Sequence, residues 1–113
     1  MISKYAVNGM LWVVLVLFNS AIFAGGWGGS TTVSEIYPSI DNNGVLVTQA
    51  VMIDPDTCNY SSHYVLEKDH VLFNEIFTLL MSAQARQSEV QIYLAGCSLH
   101  TTPKPKINAV IAR

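Results

Sequence analysis

From residue 31 onward the apolar positions change period several times, and each change marks an element. Residues 31–40, TTVSEIYPSI, are rich in β-formers but space their apolar side chains irregularly. Pro38 withholds a ladder donor, which predicts an edge strand or a bulge. Asp41-Asn42-Asn43-Gly44 tolerates positive φ and predicts a hairpin turn. Residues 45–53, VLVTQAVMI, follow as the second strand, with Val45, Val47, Val51 and Ile53 sharing a face with Gln49. A polar loop over 54–62 leads to a short third strand at 63–66.

Asp69 is then placed to cap a helix over 70–87. Phe73, Ile76, Phe77, Leu80 and Met81 form one stripe of it, and Leu72, Leu79 and Ala83 widen the apolar arc to roughly 200° at 100° per residue. A surface helix needs about half of that. The helix therefore either lies deep in a groove of the sheet or presents one flank to a neighbouring subunit. In the next strand Val90, Ile92 and Leu94 alternate with Gln91, Tyr93 and Ala95 before Gly96-Cys97 ends it. A polar loop with two prolines over 98–105 precedes a last strand at 106–113, with Ile107, Ala109 and Ile111 on one face. The order β-β-(β)-α-β-β predicts an α+β domain over 33–113, a small twisted antiparallel sheet or partly open barrel with one packed helix.

The front of the chain has a different pattern. Lys4 and the amino terminus supply positive charge, residues 10–18 (MLWVVLVLF) are unbroken apolar, and small residues follow at Ala21, Ala24, Gly25 and Gly26. This is the pattern of a secretory signal peptide over 1–24. The apolar stretch is shorter than the roughly 20 residues a spanning helix needs. Cleavage is expected after Ala24, with Gly26 as the second choice. Residues 25–32 are glycine-rich and read as a flexible leader. The mature chain is then secreted or periplasmic, with no membrane association after cleavage.

Composition sharpens this picture. Half of the residues are hydrophobic, which argues against disorder. Beyond residue 24 there are five basic residues and eight acidic ones, a formal charge of −3 with no basic patch. Nucleic-acid binding has no electrostatic footprint here. Both cysteines, Cys58 and Cys97, lie in the exported part, where thiols oxidise. Pairing them closes a loop of about 40 residues, for which the chain-entropy model gives about 4 kcal/mol. The rival reading is a reactive Cys97 assisted by His100.

Candidate chemistry is sparse. The chain has no nucleophile elbow, phosphate-cradling glycine loop, HExxH or Cys-x-x-Cys. Asp56, Ser61, Ser62 and His63 are hydrolase-like residue types in one loop, without a spacing that fixes their geometry. His63, His70 and His100 lack metal-ligand spacing, and no cofactor is implied. Asn59-Tyr60-Ser61 is a glycosylation sequon. The loop Asn59, Tyr60, Ser61, Ser62, His63, Tyr64 mixes flat apolar area with adaptable hydrogen-bonding groups, the mixture of binding loops. It is the candidate ligand-contact segment.

An early hairpin, a cysteine-bearing loop, a helix ending in Ala83-Gln84-Ala85, VQIYLAGC over 90–97 and PKINAVIAR over 105–113 resemble a class of small exported bacterial proteins of unknown function. The resemblance covers about residue 33 to the end. More distantly, element order and length are similar to those of the OB-fold B subunits of AB5 toxins of the subtilase and pertussis type. That likeness implies an OB-like barrel, export, a disulfide, homo-oligomeric assembly and glycan binding. No run matches a sugar-binding motif, so no contact residue is carried over. The leading expectation is an exported, non-enzymatic module that binds an unknown glycan or protein. The alternative is a structural, envelope-associated oligomer subunit.

Overall fold

A computed structural model describes residues 24–59, 62–99 and 102–113 of the chain. Residues 1–23, which hold nearly all of the expected signal peptide, and residues Tyr60, Ser61, His100 and Thr101 lie outside the described residues. Among the described residues the fold is a small α+β domain with six strands and one helix. The strands are β1 (Gly26–Trp27), β2 (Thr31–Ser39), β3 (Gly44–Gln49), β4 (Tyr64–Glu67), β5 (Glu89–Cys97) and β6 (Pro105–Ala112), and the helix α1 (Phe73–Arg86) sits between β4 and β5.

The sheet closes on itself as a ring. β5 pairs with β2, β2 with β3, β3 with β4, and β6 with β5, all antiparallel. The last contact, β4 to β6, is parallel and consists of the single register pair Val65↔Lys106. Inside the ring lie Val33, Val45, Val47, Tyr64, Leu66, Val90, Ile92, Leu94 and Ile107. Burying each such aliphatic side chain contributes about 1.5–3 kcal/mol.

The 41–44 hairpin forms as the sequence predicts. Ser39 pairs with Gly44, and Asn43 takes a left-handed φ of 48° while its N–H donates to the Ile40 carbonyl at 3.1 Å. The second strand is shorter than expected, ending at Gln49 rather than Ile53. Gln49 is buried, and its Nε2 donates to the carbonyls of Thr31 and Val90 at 3.2 and 3.1 Å. This amide clips together the short β2–β5 junction, which has only the pairs Thr31↔Val90 and Thr32↔Glu89.

Two register shifts explain the irregular spacing in β2 and a wrong expectation in β6. In β2, Val33 opposes Gln49 and Glu35 opposes Thr48, so Ser34 is an extra residue. Val33 and Ile36, three apart, therefore both face the core. In β6, Ala109 opposes Tyr93 and Ile107 opposes Leu94, which makes Asn108 the extra residue. Ile107 and Val110 consequently pack inward, whereas Ile111, expected on the face of Ile107, is 40% exposed. A third shift, between Leu94 and Cys97, holds Gly96 at φ +80°, a conformation that side chains other than glycine's rarely allow.

The helix begins three residues later than predicted, and Asp69 does not cap it. Leu72 holds the cap position without a side-chain cap hydrogen bond. His70 serves the turn instead. Its Nδ1 accepts the Leu72 N–H at 2.9 Å, and its Nε2 donates to the carbonyl of the extra residue Asn108 at 2.9 Å. The helix ends with Gln87 in the left-handed region, as the Gln87 and Ser88 N–H groups donate to the Gln84 and Ala83 carbonyls. Ile76, Leu80 and Ala83 are buried against the ring, with Phe73 and Phe77 partly so. The wide apolar arc is not enclosed by a groove: Leu72, Leu79 and Met81 are 40–50% exposed.

The glycine-rich leader is not loose. Gly26 and Trp27 pair with Leu94 and Tyr93 along the edge of β5 that β2 leaves open, and the Gly28 N–H donates to the Ile92 carbonyl at 2.9 Å. The Trp27 and Tyr93 rings pack at 5.1 Å between centroids. Glycine lacks the side-chain pattern of a strand, but an unpaired ladder edge recruits backbone regardless of side chains. The sheet thus includes residues 26–27, upstream of the 33–113 range expected from the sequence. Among the described residues no helix is long and apolar enough to cross a membrane.

Candidate functional site

The disulfide forms between Cys58 and Cys97, 39 positions apart, with Cα atoms 5.6 Å apart. It excludes a reactive Cys97 thiol. Around it, two aspartates organise the loop that follows β3. Asp54 accepts the N–H groups of Cys58 and Asn59 at 2.8 and 2.9 Å. That bonding holds Thr57 and Asn59 at φ 54° and 64°. Asp56 accepts the Gly25 N–H at 2.9 Å through one oxygen and the Gly96 N–H at 2.7 Å through the other. The Gly25 bond, then the Gly96 bond, hold its carboxyl below the usual carboxylate range against the opposing effect of burial.

The predicted contact loop therefore divides. Tyr64 is fully buried in the core, where its hydroxyl accepts the Ile53 N–H at 2.8 Å, so it is not a ligand contact. Burial, joined by the Asp54 charge, pushes its phenol above the usual range. Asn59 and Ser62 are exposed, and the Ser62 carbonyl accepts from Thr48 Oγ1 at 3.2 Å. His63 is half-buried, with Nε2 3.0 Å from Glu35 Oε1 on β2. Of the hydrolase-like grouping, Ser61 lies outside the described residues, both Asp56 oxygens hold backbone amides, and the His63 ring pairs with Glu35.

His63 opens onto a cleft of about 490 Å³ on the outer face of the β2–β3 hairpin. Its other walls are Glu35, Tyr37, Ser39, Asp41, Asn42, Leu46 and Lys104. The bulge at Ser34 sets this composition. Once Ile36 turns inward, Glu35, Tyr37 and Ser39 fall on the outward side in alternation. Tyr37 is 53% exposed, so its ring stands open beside these polar groups. Lys104 is buried at one end and donates from Nζ to Asn42 Oδ1 and the Thr102 carbonyl, each at 3.1 Å. That contact ties the 40–43 turn to the loop between β5 and β6. Ser98 closes the base of the same loop: its Oγ accepts the Lys104 N–H, and its own N–H donates to the Lys104 carbonyl, both at 2.9 Å.

Compared with known proteins, the chain matches no protein-family model, no curated sequence and no solved structure at a significant level.

A second depression, of about 380 Å³, lies between the helix-leading turn and β6. Its polar groups serve the fold: Glu67 pairs with Lys106 at 3.5 Å, and His70 holds Asn108. Among the described residues no group of three or more His, Cys, Asp or Glu side chains could hold a metal ion. The hairpin cleft combines an open aromatic ring with hydroxyl, carboxylate, amide and imidazole groups on a rigid ladder. Such a surface can stack an apolar ligand face and accept or donate several hydrogen bonds. Of the cleft residues only His63 was singled out from the sequence. Asp41 and Asn42 read only as turn residues, and the broken alternation of 31–40 marks a bulge without showing what it turns outward.

Proposed function

We propose that the protein is an exported, non-enzymatic binding domain whose hairpin cleft takes a polyhydroxylated ligand, a glycan. The observation that carries this reading is the open Tyr37 ring set among Glu35, Ser39, Asp41, Asn42 and His63. A sugar offers C–H faces to an aromatic ring and hydroxyl donors to carboxylates. Acidic walls accept from neutral hydroxyls and disfavour an anionic ligand. The position supports the same reading. The cleft lies on ring strands between the 40–43 turn and the β5–β6 loop, joined by Asn42 and Lys104. Small partly open β-barrels also bind oligosaccharides on outer strand faces flanked by loops. Export is supported by the apolar start of the chain and by the disulfide.

A glycan array probed with the labelled protein tests the proposal. Tyr37→Ala is expected to weaken the strongest hits about tenfold, equivalent to about 1.4 kcal/mol. Glu35→Gln and His63→Ala are expected to change which glycans rank highest. An array without hits, or hits that survive Tyr37→Ala and Glu35→Gln together, removes the cleft from consideration.

A further inference from the structure

The segment before β2 is held more closely than a passive leader requires. Gly25 sits at φ +68°, and a Cβ there would lie 2.6 Å from the Tyr93 hydroxyl and 2.8 Å from the Leu94 carbonyl. A Cβ on Gly26 would lie 3.0 Å from Pro55. The path is thus shaped for glycine at 25, and it delivers the Gly25 nitrogen to within 2.9 Å of Asp56 Oδ1. Ala24, one residue earlier, is exposed, and its carbonyl has only a 3.4 Å contact with the Tyr93 hydroxyl. The principal specific contact is at the Gly25 nitrogen, and the Ala24 backbone adds a smaller one to Asp56.

We infer that a leader protease cuts between Ala24 and Gly25 and that the new Gly25 ammonium docks on the Asp56 carboxylate, locking β1 and the disulfide-bearing loop together. The inference rests on the export reading above. Water adds across the Ala24–Gly25 amide; the leader departs with the Ala24 carboxylate, and Gly25 keeps its nitrogen, protonated to ammonium. The N–H···O bond at Asp56, charged only on its acceptor, becomes an ammonium–carboxylate bond with charge on both partners. Asp56 also accepts the Gly96 N–H, next to Cys97. The amino terminus would thereby brace the disulfide end of β5. Cutting after Gly26 instead would remove the Gly25 donor and the Gly26↔Leu94 pair. The docked nitrogen faces Asp56, the Tyr93 hydroxyl and Leu94 carbonyl flank the Gly25 α-carbon, and both Asp54 oxygens serve the Cys58 and Asn59 amides.

The test uses the full chain produced with its own leader in an exporting bacterium. Intact mass of the exported product is expected to correspond to a start at Gly25. In protein labelled with ¹³C-glycine, the Gly25 α-carbon is then followed by NMR against pH. The α-amine midpoint is expected at least about half a unit above the ordinary 7.7–8.0 range, and back within that range in Asp56→Asn. An uncut chain retained in the cell overturns the inference together with the export reading. An exported chain that starts at Trp27, or a wild-type Gly25 amine with an ordinary midpoint, overturns the inference alone. The wild-type midpoint decides even where Asp56→Asn fails to fold.

Discussion

The disulfide permits a quantitative test of how this fold is stabilised. Cys58 and Cys97 are 39 positions apart, and the loop between them holds β4, α1 and most of β5. In the chain-entropy model a closed loop of about 40 residues removes about 13 cal/mol/K from the unfolded ensemble, or about 4 kcal/mol at 25 °C. For a domain of about 90 residues, with an unfolding entropy near 2.1 cal/mol/K per residue, that corresponds to a fall of about 20 °C in Tm. The folded state should survive the loss. Asp54 still holds the Cys58 amide, Asp56 still holds Gly96, and Cys97 still pairs with Pro105. The perturbation is Cys58→Ala together with Cys97→Ala, with reduced wild-type protein as a control that changes no side-chain volume beyond the bond itself. Far-ultraviolet circular dichroism should give the same spectrum at low temperature and a melt about 20 °C lower for both. A double variant melting within about 5 °C of the oxidised protein would refute the reasoning. The stabilisation would then reside in the ring and not in the restriction of the unfolded chain.

Two further predictions concern buried polar groups. Tyr64→Phe removes the acceptor of the Ile53 N–H and should cost about 1–2 kcal/mol, a Tm lower by about 5–10 °C. Because burial raises the Tyr64 phenol, wild-type stability is fully present below the ordinary tyrosine range and declines as pH rises through it, when the unfolded chain ionises first. Denaturant melts from pH 8 to 11 should show that alkaline decline shallower in Tyr64→Phe, and equal slopes would contradict the assignment. Gln49→Leu leaves the Thr31 and Val90 carbonyls without their side-chain donor and should cost about 1–3 kcal/mol. Hydrogen exchange should then quicken first at the β2–β5 junction, and unchanged protection there would show that the amide does not clip it.

Elements were more legible than their faces. The hairpin could be read because Asn43 and Gly44 are local turn residues whose preference needs no distant partner. The disulfide could be read because the chain has two cysteines, which allow one intramolecular pairing. The start of the helix could not: Asp69 is a sound capping residue, yet the Asn108 carbonyl, left out of register on β6, draws His70 into the turn and moves the first helical residue to Phe73. The extra residues Ser34 and Asn108 also hide from periodicity. One inserted residue reverses every later side chain, and its position depends on the opposing strand.

The sequence alone determined the composition of the elements, their order, the cysteine pair and the apolar stripe of the helix. These follow from propensities and periods that act over a few neighbouring residues. Tertiary structure decided that the ring closes through Val65 and Lys106, that a glycine strand fills the open edge of β5, and that Glu35, Tyr37 and Ser39 line a cleft with His63 and Lys104. Those outcomes depend on register and on backbone edges brought together from distant parts of the chain, and no local pattern of side chains encodes where such an edge will be left unpaired.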